Sequence, residues 1–219
     1  FFTLPAGYLF LTEEERHLVA SRANGPLPPS CVIGSGLAPA DLPHPERRGE
    51  LVDMGVTFPY ALYLGRVERN KGCDTLFRHY VARGRPTLPL VLAGPEFMEV
   101  PSHPQIRPLG FVPEHLRETL LGSARTLIMP SPYESLSLVL LEAWNHGVPA
   151  LVNGGCKVLK GQALRANGGL YYHHANEFVE GLTLLATDEA LALRLGAQGR
   201  THVEAWYRWP RVVATLEPF

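Results

Sequence analysis

The sequence predicts an α/β fold with a mainly parallel sheet and helices on both faces. Short apolar runs alternate with longer segments of helical periodicity from about residue 60 onward. The short runs are mostly apolar, as expected of strands that are buried on both sides. The alternation itself is typical of strand–helix–strand units, which build parallel sheets.

The predicted elements follow one another regularly. Strands are predicted in "YALYLGR", "LPLVLAG", "QIRPLGF", "RTLIMPS", "PALVN" and "GGLYY". Helices are predicted in "KGCDTLFRHYVARG", which ends at Gly84, in "PEHLRETLLGS", with Pro113 at its first position, and directly after "RTLIMPS". The chain from Ala175 to Trp206 is predicted to be helical with a break near Asp188.

The chain before residue 60 is less regular. "GYLFLTEEERHLVASRANG" predicts one strand and one helix, which Thr12 caps in a capping box with Glu15. We expect residues 1 to about 30 to be either the tail of a preceding acceptor domain or an edge unit on the main sheet. Residues 31–219 are predicted to form one domain, including a Pro- and Gly-rich connection at about 34–59 and the C-terminal helices. Because the chain begins with Phe1 and not Met, we expect it to be a fragment or a trimmed product.

The composition is that of an ordinary globular protein. Of 219 residues, 46% are hydrophobic and 19% are charged, and the net charge is −1. The charge gives no basic footprint, so no nucleic-acid partner is expected, and no run reaches the ~20 apolar residues of a transmembrane segment. Cys31, Cys73 and Cys156 are far apart, so we expect reduced thiols and no zinc site. Cys156 precedes Lys157, a cation that can lower the pKa of its thiol.

The segment "GRVERNKG" is the first candidate for binding. In open parallel sheets, ligands bind outside the carboxyl ends of the strands. Gly65 and Arg66 close a predicted strand here, and Lys71 opens the next helix. Two cations on one strand-to-helix loop suit a diphosphate. The alternative is a solvated loop in which Arg66 pairs with Glu68.

The segment "PSPYESLSLVLLEAW" is the second candidate. Glu134 lies on the predicted loop, and Glu142 falls near the second turn of a helix that begins around residues 135–137. Unpaired N–H groups at the start of this helix favour an anion; they belong to Ser135, Leu136, Ser137 and Leu138. The helix is apolar almost all round, so Glu142 needs a partner, either ligand hydroxyls or a buried ion pair. For both acids together we prefer ligand binding to a helix cap and a structural ion pair.

A third segment is less specific. Gly94 ends the strand in "VLAGP", and "LGFVPEHL" places Phe111 and Val112 at another strand-to-helix junction. Such an apolar wall with much exposed backbone suits a nucleobase, although ordinary turn chemistry explains the same residues.

In this order, the three segments resemble the donor-binding half of a retaining GT-B glycosyltransferase of family 4 (glycosyl transferases group 1), a Rossmann-like domain. "YLGRVERNKG" matches the family's G-R-x4-K-G, and "ESLSLVLLE" matches its E-x7-E. The resemblance covers roughly residues 31–219. The final "YRWPRVVATLEPF" resembles helices that cross back to the family's N-terminal domain.

The resemblance implies transfer of a sugar from a nucleoside-diphosphate sugar to an acceptor, with retention of configuration and without a cofactor or metal. Arg66, Lys71 and Glu134 would be the catalytic residues, with both cations on the diphosphate and Glu134 on the transferred sugar. Glu142 would bind the ribose. The other implied donor-binding residues are Gly65, Gly94, Phe111, Val112, Leu116, Ser135, Leu136, Ser137 and Leu138, of which Gly94, Phe111, Val112 and Leu116 surround the base.

Some features depart from the family. Ser-Leu-Ser stands where Gly-Phe-Gly is frequent, and Lys157 stands near the usual position of an acid. The acceptor domain is missing, so the acceptor, a glycan, lipid or small molecule, would bind through that domain. We expect a cytoplasmic protein with no transmembrane segment and with any membrane contact through the missing domain. The alternatives are a non-catalytic module with a transferase-like fold and, less favoured, phosphorolysis or epimerisation of a nucleotide sugar.

Overall fold

The computed structural model describes residues 4–40, 45–81 and 87–217. In this part of the chain the strands are, in sequence order, β1 (Tyr8–Phe10), β2 (Ser30–Val32), β3 (Ala61–Leu64), β4 (Leu90–Ala93), β5 (Ile106–Pro108), β6 (Thr126–Met129), β7 (Ala150–Asn153) and β8 (Gly169–Tyr172). Strands β3 to β8 form one parallel sheet in the order β5-β4-β3-β6-β7-β8. The first strand of this sheet, β3, lies in its middle, and β4 and β5 extend the sheet to one edge. After β5 the chain crosses back to β6, on the other side of β3. The predicted parallel α/β fold is confirmed.

Helices surround this sheet. They are α1 (Glu13–Ala20), α2 (Pro45–Asp53), α3 (Cys73–Val81), α4 (Glu114–Gly122), α5 (Leu138–Asn145), α6 (Lys157–Ala166), α7 (Ala175–Thr187), α8 (Glu189–Trp206) and α9 (Trp209–Leu216), with a 3-10 turn at Arg69–Lys71. The predicted break near Asp188 is confirmed, because Asp188 ends α7 and its carboxylate caps α8 by accepting from the Leu191 N–H.

The core lies on both faces of the sheet. Neighbouring residues of β3 alternate between two apolar clusters, Leu62 on one face and Ala61 and Tyr63 on the other. The Leu62 cluster contains the fully buried Trp144 of α5, whose indole N–H donates to the Gly168 carbonyl. Burial on both sides explains why the strand sequences lack polar alternation.

The first part of the chain forms a small unit. β1 pairs in parallel with β2 in a two-stranded sheet, and α1 packs against α6. The predicted cap is confirmed, because the Thr12 hydroxyl accepts from the Glu15 N–H at 3.3 Å. The Glu15 carboxylate accepts from the Leu11 N–H, one residue before the expected one. The assignment of residues 1–30 to a preceding domain stays a prediction.

Two element predictions were wrong in part. The connection at 34–59 contains α2, whose Leu51 is fully buried, and α2 packs against α4. This helix presents too few apolar residues to show a period in the sequence. Pro113 is the N-cap of α4 and not its first residue. The predicted end of the preceding helix at Gly84 lies outside the described residues.

Among the residues that the structure describes, no helix combines the length and the apolar character needed to cross a membrane.

Candidate functional site

The candidate site is a cleft of about 210 Å³ at the carboxyl ends of β3 and β6. The chain reverses direction across the sheet between these strands, and parallel α/β folds bind ligands at such a switch point. Two larger cavities, of about 530 and 660 Å³, lie elsewhere, but the predicted residues do not converge there. The cleft is lined by Tyr63, Leu64, Gly65, Lys71, Met129, Pro130, Ser131, Glu134, Leu136, Ser137, Leu138 and Val139.

Lys71 and Glu134 meet inside this cleft. The Lys71 Nζ lies 2.8 Å from Glu134 Oε1, and the side chains are 31% and 12% exposed. Gly72 brings the loops this close, since it has a left-handed φ of +76° and a Cβ there would lie 2.3 Å from the Pro130 carbonyl oxygen. The sequence prediction placed both residues at this edge but did not pair them.

Gly65 and Gly94 continue the edge of the site at the ends of β3 and β4. The Gly65 N–H donates to the Ala93 carbonyl, and the Gly94 N–H donates to the Gly110 carbonyl. A Cβ on Gly94 would lie 2.1 Å from the Gly65 carbonyl oxygen. Gly94 is therefore needed for close packing of the two strand ends, and its role beside a base stays a prediction.

Arg66 lies at the exposed side of the site. Its guanidinium pairs with Glu68 at 3.1 Å and remains 60% exposed, as in the alternative that the sequence left open. The backbone is nevertheless fixed, because the Tyr63 hydroxyl donates to the Arg66 carbonyl at 2.6 Å. Burial raises the pKa of Tyr63, so this hydroxyl stays protonated as a donor. Tyr63 was missed, since its strand position indicated only core packing.

The loop between β6 and α5 (residues 130–137, the β6–α5 loop) is held by polar contacts. The Asn153 side chain donates to the Pro130 carbonyl at 3.0 Å. Ser137 is the N-cap of α5, and its hydroxyl accepts from the Leu140 N–H at 3.3 Å. Leu138 and Val139, in the first turn, line the cleft. The predicted helix start and the position of Glu142 in the second turn are confirmed.

The backbone of this loop is used less uniformly than predicted. The Ser135 carbonyl accepts from the Thr12 hydroxyl at 3.1 Å, and the Ser137 N–H is directed to the buried Gln162 side chain at 3.5 Å. Leu136 and Leu138 line the cleft, whereas Ser135 contacts the N-terminal unit, and donor binding by these backbone groups stays a prediction.

Glu142 belongs to an ion-pair network that joins α4 and α5. Its carboxylate accepts a short hydrogen bond from Arg117, which also contacts Glu118 at 3.2 Å. Glu118 in turn lies 2.6 Å from the buried ring of His146. The hydrogen bond from His146 lowers the pKa of Glu118. The partner expected for Glu142 is thus present within the chain as Arg117, which the sequence analysis did not identify.

The residues predicted to surround a base lie outside the lining of the cleft. Phe111 is 80% exposed, whereas Val112 and Leu116 are buried in the core on the Leu62 side of the sheet. Of the four residues predicted to surround the base, Val112 and Leu116 therefore have no accessible side chain, whereas the ring of Phe111 is accessible to a ligand.

Cys156 differs from its prediction. Burial raises the pKa of its thiol more than the surrounding backbone hydrogen bonds lower it, so the lowering that the sequence suggested was wrong. Cys31, Cys73 and Cys156 are free, as expected.

A parallel α/β sheet with a cleft at its switch point defines the class of Rossmann-like domains. The family follows from the sequence, which matches the family described as Glycosyl transferases group 1 over residues 54–202, more than half of the chain. The chain belongs to this family of glycosyltransferases.

Known proteins are similar to the chain in sequence or fold. O-antigen chain mannosyltransferase B of Escherichia coli is 35% identical over 105 residues, a match that covers 42% of this chain and 28% of that protein. The structure of sucrose-phosphate synthase from Thermosynechococcus elongatus has a TM-score of 0.80 at 20% identity, over 99% of this chain and 58% of that one. Anabaena HepE in complex with UDP-glucose has a TM-score of 0.77 at 14% identity, over 97% and 62%. Both structures share the GT-B-type Rossmann-like fold, and this chain spans less than two thirds of their length.

Proposed function

We propose that this chain is the donor-binding, C-terminal domain of a retaining GT-B glycosyltransferase of family 4. The observation that carries the proposal is the meeting of Lys71 and Glu134 in one cleft at the switch point of the sheet. A cation beside a carboxylate matches a phosphate joined to a hydroxylated sugar. Family membership supports the proposal, as do the names of two relatives, a mannosyltransferase and a protein solved with UDP-glucose.

Each residue has a role in this proposal. Lys71 and Arg66 bind the diphosphate, and Glu134 accepts hydrogen bonds from hydroxyls of the transferred sugar. Glu142 binds the ribose after sharing or releasing Arg117. The backbone at Gly94 and the exposed ring of Phe111 border the base.

The chemistry depends on leaving-group stabilisation. Transfer breaks the bond between the anomeric carbon and a diphosphate oxygen and forms a bond to an acceptor oxygen, which loses its proton. Negative charge grows on the departing nucleoside diphosphate, and Lys71, Arg66 and the N-terminus of α5 stabilise it. The proposal assigns this role to protein groups and to no metal or cofactor.

The proposal also extends to the whole protein. The acceptor, a glycan, lipid or small molecule, binds through an N-terminal domain beyond this chain, so this chain alone binds donor and transfers poorly. The location is cytoplasmic, which agrees with three free cysteines.

Calorimetric titration of the folded chain with UDP, GDP and ADP tests the proposal. We expect at least one to bind, and Lys71→Ala or Arg66→Ala to weaken it about tenfold or more, as for loss of a charged hydrogen bond. Arg200→Ala is the matched control, because it removes an exposed cation on α8. Binding of none of the three by folded protein, or equal affinity in Lys71→Ala, contradicts the proposal.

One observation favours a second candidate, a non-catalytic module. Both acids of the E-x7-E element already have a cation partner, Lys71 for Glu134 and Arg117 for Glu142. Such pairs also occur as purely structural features. Full-length protein that binds donor but neither transfers nor hydrolyses the sugar would support this candidate.

A further inference from the structure

The β6–α5 loop is contacted from the N-terminal unit through one buried hydroxyl. Thr12 is 2% exposed, and its hydroxyl accepts from the Glu15 N–H and donates to the Ser135 carbonyl. The helix that it caps, α1, has no buried side chains. Leu11, just before the cap, packs against the core on the Leu62 side of the sheet, and the Thr12 hydroxyl adds a specific polar link from the start of α1 to the loop.

A second link reaches the same loop from α6. The Ser137 N–H is directed to Gln162 Oε1 at 3.5 Å, and Gln162 is 1% exposed. Ser135 and Ser137 flank Leu136, which lines the cleft next to Glu134. The two links thus fix the backbone on either side of a cleft residue.

A third link joins α1 directly to α6. The guanidinium of Arg165, one turn after Gln162, binds both carboxylate oxygens of Glu14, one of them at 3.0 Å. Gly161 makes room for this carboxylate, since a Cβ there would lie 1.9 Å from Glu14 Oε1. The β6–α5 loop, α1 and α6 are therefore joined to one another in pairs by side-chain contacts.

We propose that Thr12 is a positioning residue that holds the Glu134–Ser137 backbone in its binding geometry, with Gln162 and the Glu14–Arg165 pair as supports. The inference rests on the proposed function for its ligand and on these contacts for its mechanics. Thr12 does not touch the ligand; it acts through the Ser135 carbonyl. Loss of its hydroxyl makes the backbone beside Glu134 more mobile. It therefore weakens binding of the sugar part of the ligand more than binding of the nucleotide part.

The first experiment needs no ligand. Hydrogen–deuterium exchange is compared for the unaltered chain, Thr12→Val and Thr12→Ser at the amides of residues 134–139. Valine keeps the shape without the hydroxyl, and we expect about three- to tenfold faster exchange there. Serine should restore protection. Ser21→Ala is the matched control, since it removes an exposed hydroxyl at the other end of α1.

The second experiment measures ligand binding. The ratio of Kd for a nucleoside diphosphate to Kd for its nucleotide sugar (UDP with UDP-glucose, GDP with GDP-mannose) is measured for the same variants. We expect Thr12→Val to lower this ratio about three- to tenfold and Thr12→Ser to keep it. A residue that only stabilises the fold would lower Tm in Thr12→Val and leave the ratio unchanged.

The outcomes separate the two proposals. Unchanged loop exchange in Thr12→Val overturns the positioning role, and so does an unchanged ratio in a chain that binds nucleotide sugars. Faster exchange together with no nucleotide binding by the unaltered chain overturns the proposed function and its ligand while the link to the loop stands. If Thr12→Val does not fold, Glu14→Gln removes the third link instead, and about twofold faster loop exchange is expected.

Discussion

Glu134 and Glu142 occupy different environments although they belong to one short motif. Glu134 faces Lys71 inside the cleft, and Glu142 faces Arg117 on the neighbouring helix α4. Their partners differ in kind: an ammonium is a compact charge that moves easily, whereas a guanidinium holds a fixed planar geometry. We therefore expect the two acids to respond differently to substitution.

The Glu142→Gln change tests the ribose role. We expect about tenfold or greater loss of affinity for the nucleoside diphosphate that binds best, because an ionised acceptor becomes neutral. The 2′,3′-dideoxy analogue should bind the unaltered and the variant chain alike, since it lacks the hydroxyls in question. Titration calorimetry with both nucleotides measures this. An equal loss for both analogues would assign Glu142 a structural role.

A pH dependence follows from Glu118. Its folded-state pKa is lowered by the hydrogen bond from His146, so the folded chain favours the ionised form. This contribution, about 1 kcal/mol for one hydrogen bond, is fully present above the usual glutamate pKa of about 4.3 and is lost as pH falls through the lower folded value. Urea unfolding of the unaltered chain and of Glu118→Gln should differ at pH 6, and the difference should shrink as the pH falls below about 4.3. Glu180→Gln on α7 controls for net charge, and a constant difference between pH 6 and pH 3 would refute the expectation.

The sequence could predict the Lys71–Glu134 neighbourhood but not the Arg117–Glu142 pair. Lys71 and Glu134 each follow a recognisable strand, and parallel strands share one carboxyl edge. The Arg117 contact depends on the rotation of α4 about its axis, which packing of Leu120 and Leu121 decides. Thr12 was recognised as a cap from its local sequence. Its second hydrogen bond, to Ser135, is a tertiary contact and had no local sequence signal.

At the level of elements, the end of β4 depends on glycine for close approach to the end of β3, because a Cβ on Gly94 would lie 2.1 Å from the Gly65 carbonyl oxygen. The helix α2 was not predicted from the sequence. It has few apolar positions and lies in a Pro- and Gly-rich stretch, so its sequence shows no helical periodicity. Strands β3, β4, β6 and β7 were easy to predict because burial on both faces makes them mainly apolar, with Thr126 in β6 and Asn153 in β7 as the polar exceptions.

The Gly94→Ala change tests the packing of these strand ends. Gly94 has a φ of +136°, and the new methyl group would overlap the Gly65 carbonyl oxygen. We expect the free energy of unfolding to fall by about 3 kcal/mol or more. Gly110→Ala is the control, because Gly110 also has a positive φ, of +63°, but open space for a Cβ; it should cost about 1 to 2 kcal/mol. Equal losses in urea unfolding would show that the contact at Gly94 is relieved by a shift of the loops.

At the level of the whole molecule, the site and the core share the same elements. The helix that starts at the cleft, α5, also carries Trp144 in the middle of the Leu62-side core. Ligand binding at the start of α5 is therefore linked to the stability of the folded chain and not only to local order.

A thermal-shift measurement tests this linkage. With free nucleoside diphosphate at 100 times its Kd, the stabilisation is about 2.7 kcal/mol, or about 5 to 10 °C in Tm for a chain of this size. Lys71→Ala should lose most of this shift at the same ligand concentration, and Arg200→Ala should keep it. The expectation fails if the unaltered chain binds the nucleotide by calorimetry without a rise in Tm.

The Lys71–Glu134 pair has one more consequence, for selectivity among small anions. An inorganic phosphate that approaches Lys71 also meets the carboxylate of Glu134, 2.8 Å away, and the repulsion offsets much of the attraction. A molecule that carries a hydroxyl next to its phosphate satisfies the ammonium and the carboxylate together. If the proposed ligand binds here, the ion pair therefore provides selectivity. It disfavours binding of free inorganic phosphate, and Lys71 and Glu134 separate only for compounds in which a polyol and a phosphate are joined.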